Sequence, residues 1–186
     1  FSNSIISSIF FFSNYFFYFE GLVYNSDQSL LKPLLHTWSL SVEEQFYIFF
    51  PIILIFVNKF FKEKLLFVFF LLFFLSFIVA FYTSMNNLSF SFFSTMSRGW
   101  EFLAGSFLAY LEINKEKLYY KNHNLFTVVG FLLIIYSLIT FDNSTVHPSI
   151  KTLLPVSGVF LIIFFSNTKN FITRFLSNYF FVKVGL

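Results

Sequence analysis

Pro33-Leu34-Leu35-His36-Thr37-Trp38-Ser39-Leu40-Ser41-Val42-Glu43-Glu44-Gln45-Phe46-Tyr47-Ile48-Phe49-Phe50-Pro51 is the polar island of an otherwise apolar chain. A loop carrying Pro33, His36 and Trp38 runs into Ser41, with Glu44 three residues later. That spacing fits a capping box, in which the Ser41 hydroxyl accepts from the Glu44 N–H and the carboxylate reaches back. It predicts a helix that starts at Ser41, holds Glu43 and Glu44 in its first turn, and continues apolar to Val57.

Outward from this stretch the chain is built for lipid. Of 186 residues, 57% are hydrophobic and only 11% charged, against about 25% charged in soluble domains. Mean hydropathy is +0.75. The fold class expected is all-α, a polytopic transmembrane bundle of about six membrane helices forming a single membrane domain over residues 1–186. The 35 Phe residues exceed what lipid asks for, since Leu serves as well, and read as the coding bias of an AT-rich genome. The absence of Cys excludes disulfide and thiolate chemistry in this segment. No basic stripe points to nucleic acid. The start at Phe1 and the basic segment before Leu186 read as an internal fragment, truncated at both ends.

In chain order the expected spans are 4–19 (short or partial), 41–57, 65–82, 96–113, 125–141 and 152–165, followed by an interfacial aromatic segment over 167–183 with Lys169, Arg174 and Lys183. At ~1.5 Å per residue, helices of about 16–18 residues rise roughly 24–27 Å, just short of a ~30 Å hydrocarbon core. A Ser/Asn-rich loop is expected over 83–95. Basic residues alternate between loops. Lys59, Lys62 and Lys64, then Lys115, Lys117 and Lys121, then Lys169, Arg174 and Lys183 stand against single Lys32, Arg98 and Lys151. The positive-inside rule then puts both ends on the cytoplasmic side, and residues 38–45 with Arg98 and Glu101 at the extracytoplasmic face. Position 26 should be labelled from outside and position 116 from inside.

The run Trp38, Ser39, Leu40, Glu43, Gln45, Phe46, Tyr47 resembles the W-S-L-x-x-E-x-Q-F-Y signature of the acyltransferase-3 family of bacterial membrane O-acyltransferases. Arg98-Gly99-Trp100-Glu101-Phe102-Leu103-Ala104-Gly105 is similar to that family's R-x-W-E-[LF]-x-x-G helix, and Leu154-Pro155-Val156-Ser157-Gly158 is a third, weaker match. The resemblance covers nearly the whole chain in order. It implies transfer of an acyl group, acetyl first among the candidates, from acyl-CoA as co-substrate with no bound cofactor. The acceptor would be a hydroxyl of an envelope glycan or glycolipid such as lipopolysaccharide. The family's catalytic histidine falls on an earlier helix, ahead of Phe1.

Each candidate residue has a structural counterpart to its chemical role. Glu44 is accounted for by the cap. Glu43 is not, and it shares a helix face with Tyr47. It is the first choice for the group that positions or deprotonates the acceptor hydroxyl. His36 is the second catalytic candidate, although a loop histidine is commonly only hydrogen-bonded. Ser39 lacks a G-x-S-x-G elbow and is not expected to act as nucleophile. With Trp38, Gln45 and Tyr47 it is expected to bind substrate. Arg98 and Glu101, at i and i+3, are expected to pair on one helix and either anchor it or meet substrate. Gly105 and Ala109 suggest close helix packing. Pro51 should kink its helix one turn below the motif, and Pro155 interrupts another span. His123 and His147 are single loop histidines without the spacing of a metal site. No phosphate-binding glycine loop is present. Without the resemblance, a carrier or flippase component for a glycolipid or acyl group would explain intramembrane acids equally well, and a decayed copy is a third reading.

Overall fold

The computed structural model describes residues 2–22, 32–61, 64–113, 124–142, 145–167 and 170–185. It is helical, with no strand among the described residues. The helices are α1 Ser2–Ile9, α2 Ser13–Gly21, α3 Thr37–Phe60, α4 Leu65–Asn86, α5 Leu88–Phe93, α6 Thr95–Ile113, α7 Asn124–Thr140, α8 Leu153–Phe164, α9 Phe171–Leu176 and α10 Tyr179–Gly185. A 3-10 turn at Ile150–Thr152 leads into α8. Asp27, Lys62, Glu63, Lys115, Glu116, Lys117, Lys121, His123 and Lys169 lie outside the described residues, and with them five of the twelve basic residues behind the expected membrane orientation.

Among the described residues two helices are long and apolar enough to cross a membrane, α3 with 24 residues and α4 with 22. At ~1.5 Å per residue they rise roughly 36 and 33 Å, more than the ~30 Å core needs. The expected near-shortfall does not apply to them. Only 22% and 11% of their apolar windows are buried by protein. Ile55, Phe74 and Ile78 stand exposed, as a lipid-facing surface requires. Helices α7 and α8 are apolar but shorter.

The chain forms two compact units. The first holds α1 to α5 with α6 as far as Leu103, together with residues 147–149. The expected single span over 4–19 is two helices, α1 and α2, separated by a turn at residues 10–12. Phe11 has φ 58°. The Phe12 N–H bonds the Ser7 carbonyl at 2.7 Å and the Phe11 N–H bonds Ser8 at 3.2 Å. These are the two bonds of a Schellman stop, with Phe11 where glycine usually sits. The left-handed backbone costs about 1–2 kcal/mol for a residue with a Cβ.

Helix α3 also departs from expectation. It begins at Thr37, so Ser41, Glu43 and Glu44 lie inside it and no acid occupies its first turn. Ser41 is no cap: its hydroxyl is buried against that of Ser13 in α2, at 2.7 Å. Ser13 in turn accepts from Thr37 Oγ1 at 3.0 Å, and Thr37 meets Ser8 at 2.9 Å. The hydroxyls that looked like a helix start instead tie α1 and α2 to α3. The helix runs on through Pro51 to Phe60.

The expected loop over 83–95 is largely helical. Helix α4 continues to Asn86, and Asn87 caps α5 by accepting from the Phe90 N–H at 2.9 Å. Asparagine is among the strongest caps because its short amide reaches the orphan donors of the first turn.

The second unit covers residues 104–146 and 150–186. Helices α7 and α8 pack at a very close crossing. A Cβ on Gly130 would stand 2.6 Å from the Gly158 carbonyl oxygen, and one on Gly158 would stand 2.7 Å from that of Gly130. Phe126 stacks on Phe165 nearby, at 4.6 Å. Close packing was expected at Gly105 and Ala109 instead, but a Cβ on Gly105 would meet nothing within 4 Å. Pro155 interrupts no span, because it falls in the first turn of α8, where a missing N–H costs nothing. The aromatic segment after α8 is the helix pair α9 and α10. Lys183 there sits 5.7 Å from the Tyr179 ring.

Candidate functional site

The first unit brings the two long motifs together. Trp38, one residue into α3, packs on Phe92 and Phe93 at ring distances of 4.5 and 5.3 Å. Arg98, in the first turn of α6, lies over the indole with its guanidinium carbon 5.2 Å from the ring centroid. That is cation–π geometry. Arg98 Nη2 donates to Glu101 Oε2 at 3.3 Å, as the spacing predicted. The contact is single, and Arg98 Nε–H has no acceptor among the described residues. The pair is therefore not the two-pronged fork of a saturated arginine–carboxylate bridge, and part of the guanidinium's donor capacity is unused.

Gln45 is the most heavily engaged of the candidates. It is buried, and its Nε2 donates to the Phe11 carbonyl at 2.6 Å and to Asn14 Oδ1 at 3.0 Å. Thr95 Oγ1 donates to Gln45 Oε1. Asn14 Nδ2 continues the network to the Phe93 carbonyl at 3.0 Å. One amide thus satisfies the carbonyl of the left-handed turn and ties α2 to the start of α6. The sequence offered no sign of this, because the acceptor is a backbone oxygen exposed by a turn without glycine.

The remaining candidates are placed as follows. Glu43 and Glu44 are half-buried and make no hydrogen bond or ion pair among the described residues. Tyr47 is exposed. His36 sits exposed at the N-terminal boundary of α3 without a side-chain capping bond. Ser39 Oγ donates to the His36 carbonyl at 3.2 Å, which gives it a local structural bond and no catalytic base. No cluster of three metal-ligating side chains occurs among the described residues.

Next to Gln45 lies a pocket of about 490 Å³ between α3, α4 and α6. Phe46, Phe49, Phe50, Leu72 and Leu103 wall it, and Gln45, Ser76 and Thr95 form its polar edge. Phe46 stacks on Phe102 at 5.1 Å and so closes part of the α3–α6 face. On the α4 side Trp100 is fully buried, edge-on to Phe73 and Phe77 at 6.0 and 5.4 Å.

Residues 2–184 match the profile of the acyltransferase-3 family, an acyltransferase domain. The chain belongs to that family. As an acyltransferase-3 domain it joins proteins that are generally membrane-embedded, in agreement with α3 and α4. It is 35% identical over 149 residues to an uncharacterized protein of Haemophilus influenzae, a match covering 75% of this chain and 61% of that protein. It is also 39% identical over 59 residues to the O-acetyltransferase OatA of Staphylococcus aureus, covering 32% of this chain and 10% of OatA. The chain therefore spans less than two thirds of the length of these relatives. No solved structure matches it.

Proposed function

We propose that this acyltransferase-3 domain belongs to a multi-pass membrane O-acyltransferase. It would transfer an acetyl or similar acyl group from a coenzyme A thioester to a hydroxyl of an envelope sugar. The observation that carries the reading is the meeting of the two motifs at Trp38, Arg98 and Glu101, within a family match that spans nearly the whole chain. The name of OatA supports O-acetyl transfer as the reaction class.

In this reading the Trp38 indole holds the Arg98 guanidinium at the site, and the unused Arg98 donors meet the oxygens of a sugar. Glu101 holds Arg98 in place. Glu43, half-buried and without a partner among the described residues, takes the proton of the acceptor hydroxyl. The hydroxyl oxygen attacks the thioester carbonyl, the carbon–sulfur bond breaks, and the proton passes to the departing thiolate. His36, at the helix boundary, is the alternate proton acceptor. Gln45 serves this site as a scaffold, because its amide is already spent inside the protein. The proposal includes six membrane helices with both ends cytoplasmic, in the inner membrane of a bacterium, and the motif mouth facing outward.

The test is transfer by the complete purified protein from labelled acetyl-CoA to envelope glycan, with label recovered as alkali-labile ester. Ester formed only with the protein present supports the enzyme. Movement of glycolipid or acyl group across the bilayer with no ester formed would favour a carrier.

A further inference from the structure

Ser76 is a hydroxyl in the middle of α4, the more apolar of the two long helices α3 and α4. A serine there ordinarily bonds back to a carbonyl of its own preceding turn. Ser76 crosses instead to α6. Its Oγ accepts the Trp100 N–H at 2.8 Å and donates to the Met96 carbonyl at 2.6 Å. These are the two ends of one rung of the α6 ladder, since Trp100 N–H and Met96 C=O are the i and i−4 partners of a regular helix. Arg98 and Gly99 lie inside that rung. Gly99 lets the hydroxyl approach, because a Cβ there would stand 3.1 Å from Ser76 Oγ. Phe73 and Phe77, flanking Ser76 on α4, hold the Trp100 ring edge-on. Helix α4 thus grips the Arg98-bearing turn by its backbone and by its next large side chain.

We infer that Ser76 is a positioning residue for Arg98: its hydroxyl fixes the backbone turn from which Arg98 reaches the Trp38 indole and Glu101. The inference rests on the reading of Arg98 as part of the substrate site. Side chains inserted into a helix ladder bend it locally. Arg98 is long, so a small change in that turn moves its guanidinium far more than its Cα. Both hydrogen bonds of Ser76 go to the α6 backbone and none to Arg98 or Trp38 among the described residues, so it acts on Arg98 through that backbone.

The experiment uses the complete protein in nanodiscs, with Ser76→Ala, Ser76→Thr, Arg98→Gln and the double variant Ser76→Ala/Arg98→Gln. Two readouts are taken. One is kcat/KM for acetyl transfer. The other is the indole N–H resonance of Trp38, assigned by Trp38→Phe. Ser76→Ala should lower kcat/KM about tenfold, and Ser76→Thr, which keeps the hydroxyl, should retain at least half the parental value. The double variant should be no more than twofold below Arg98→Gln alone, because both changes act on one guanidinium. The Trp38 resonance should shift in Ser76→Ala as it does in Arg98→Gln, and stay in place in Ser76→Thr. A Trp38 resonance unmoved by Ser76→Ala overturns the inference, as does a double variant that loses the product of the two single effects. If Arg98→Gln transfers at the parental rate, the substrate-site reading fails while the resonance still decides the role of Ser76. Should Ser76→Ala not accumulate, Ser76→Cys takes its place in both readouts.

Discussion

Arg98 of α6 rests on the indole of Trp38 of α3, 5.2 Å from guanidinium carbon to ring centroid, and bonds Glu101 with one of its nitrogens. Two motifs far apart in the chain are thereby one constellation. A stack of this kind contributes about 0.5–1 kcal/mol when exposed and ~2 or more when desolvated. Lysine keeps the charge but lacks the planar fork. Arg98→Lys is therefore expected to lower transfer by about tenfold, which corresponds to about 1.4 kcal/mol. Arg98→Gln should lower it further. Steady-state kinetics against acceptor concentration checks this, and equal activity of the lysine variant would separate the stack from function.

Gln45 supports the fold from within. Replacing it by Leu leaves the Phe11 carbonyl, the Asn14 amide and the Thr95 hydroxyl without their partner. At about 1–3 kcal/mol per buried group left unpaired, the loss should total roughly 2–4 kcal/mol once the neighbours relax. Thermal unfolding in detergent should show a clear fall in Tm. A residue that met only substrate would leave Tm unchanged.

The α7–α8 crossing gives a sharper packing test. Gly130→Ala and Gly158→Ala each place a methyl against a carbonyl oxygen of the facing helix. Overpacking of this kind costs about 1–3 kcal/mol. Gly105→Ala meets open space and should be neutral or slightly stabilising, since alanine is the better helix former. Thermal shifts of the three variants, side by side, check the contrast.

Glu44 is a mid-helix residue, not half of a cap. Glu44→Ala should change stability by less than ~0.5 kcal/mol, because the half-buried carboxylate has no partner to lose among the described residues. Loss of a true cap would cost about 1 kcal/mol. Ser41→Ala should cost more than Glu44→Ala, because it removes the buried hydroxyl partner of Ser13.

What the sequence made legible follows from how local each signal is. The all-helical class and α3, α4, α6, α7 and α8 were readable because apolar runs of this length have few other solutions. The Arg98–Glu101 pair was readable because i, i+3 spacing fixes it on one helix. The break between α1 and α2 was not, because Phe11 occupies a left-handed position that normally announces itself with glycine. The start of α3 was misplaced because Ser41 and Glu44 imitate a capping box, while their surroundings are set by α2, a long-range partner. The same holds for Gln45, Ser76 and the Gly130–Gly158 crossing. Each is defined by a backbone atom on a distant element, which no local pattern encodes.

Glu43 carries the chemical claim, and one substitution tests it most directly. Glu43→Gln keeps the shape of a half-buried side chain that has no partner among the described residues, so the fold should be undisturbed. Measured in the complete protein with labelled acetyl-CoA and envelope glycan, the variant is expected to unfold at the parental temperature and to form alkali-labile ester at least a hundredfold more slowly. Transfer at the parental rate by Glu43→Gln would contradict the assignment of the proton-accepting group to this residue.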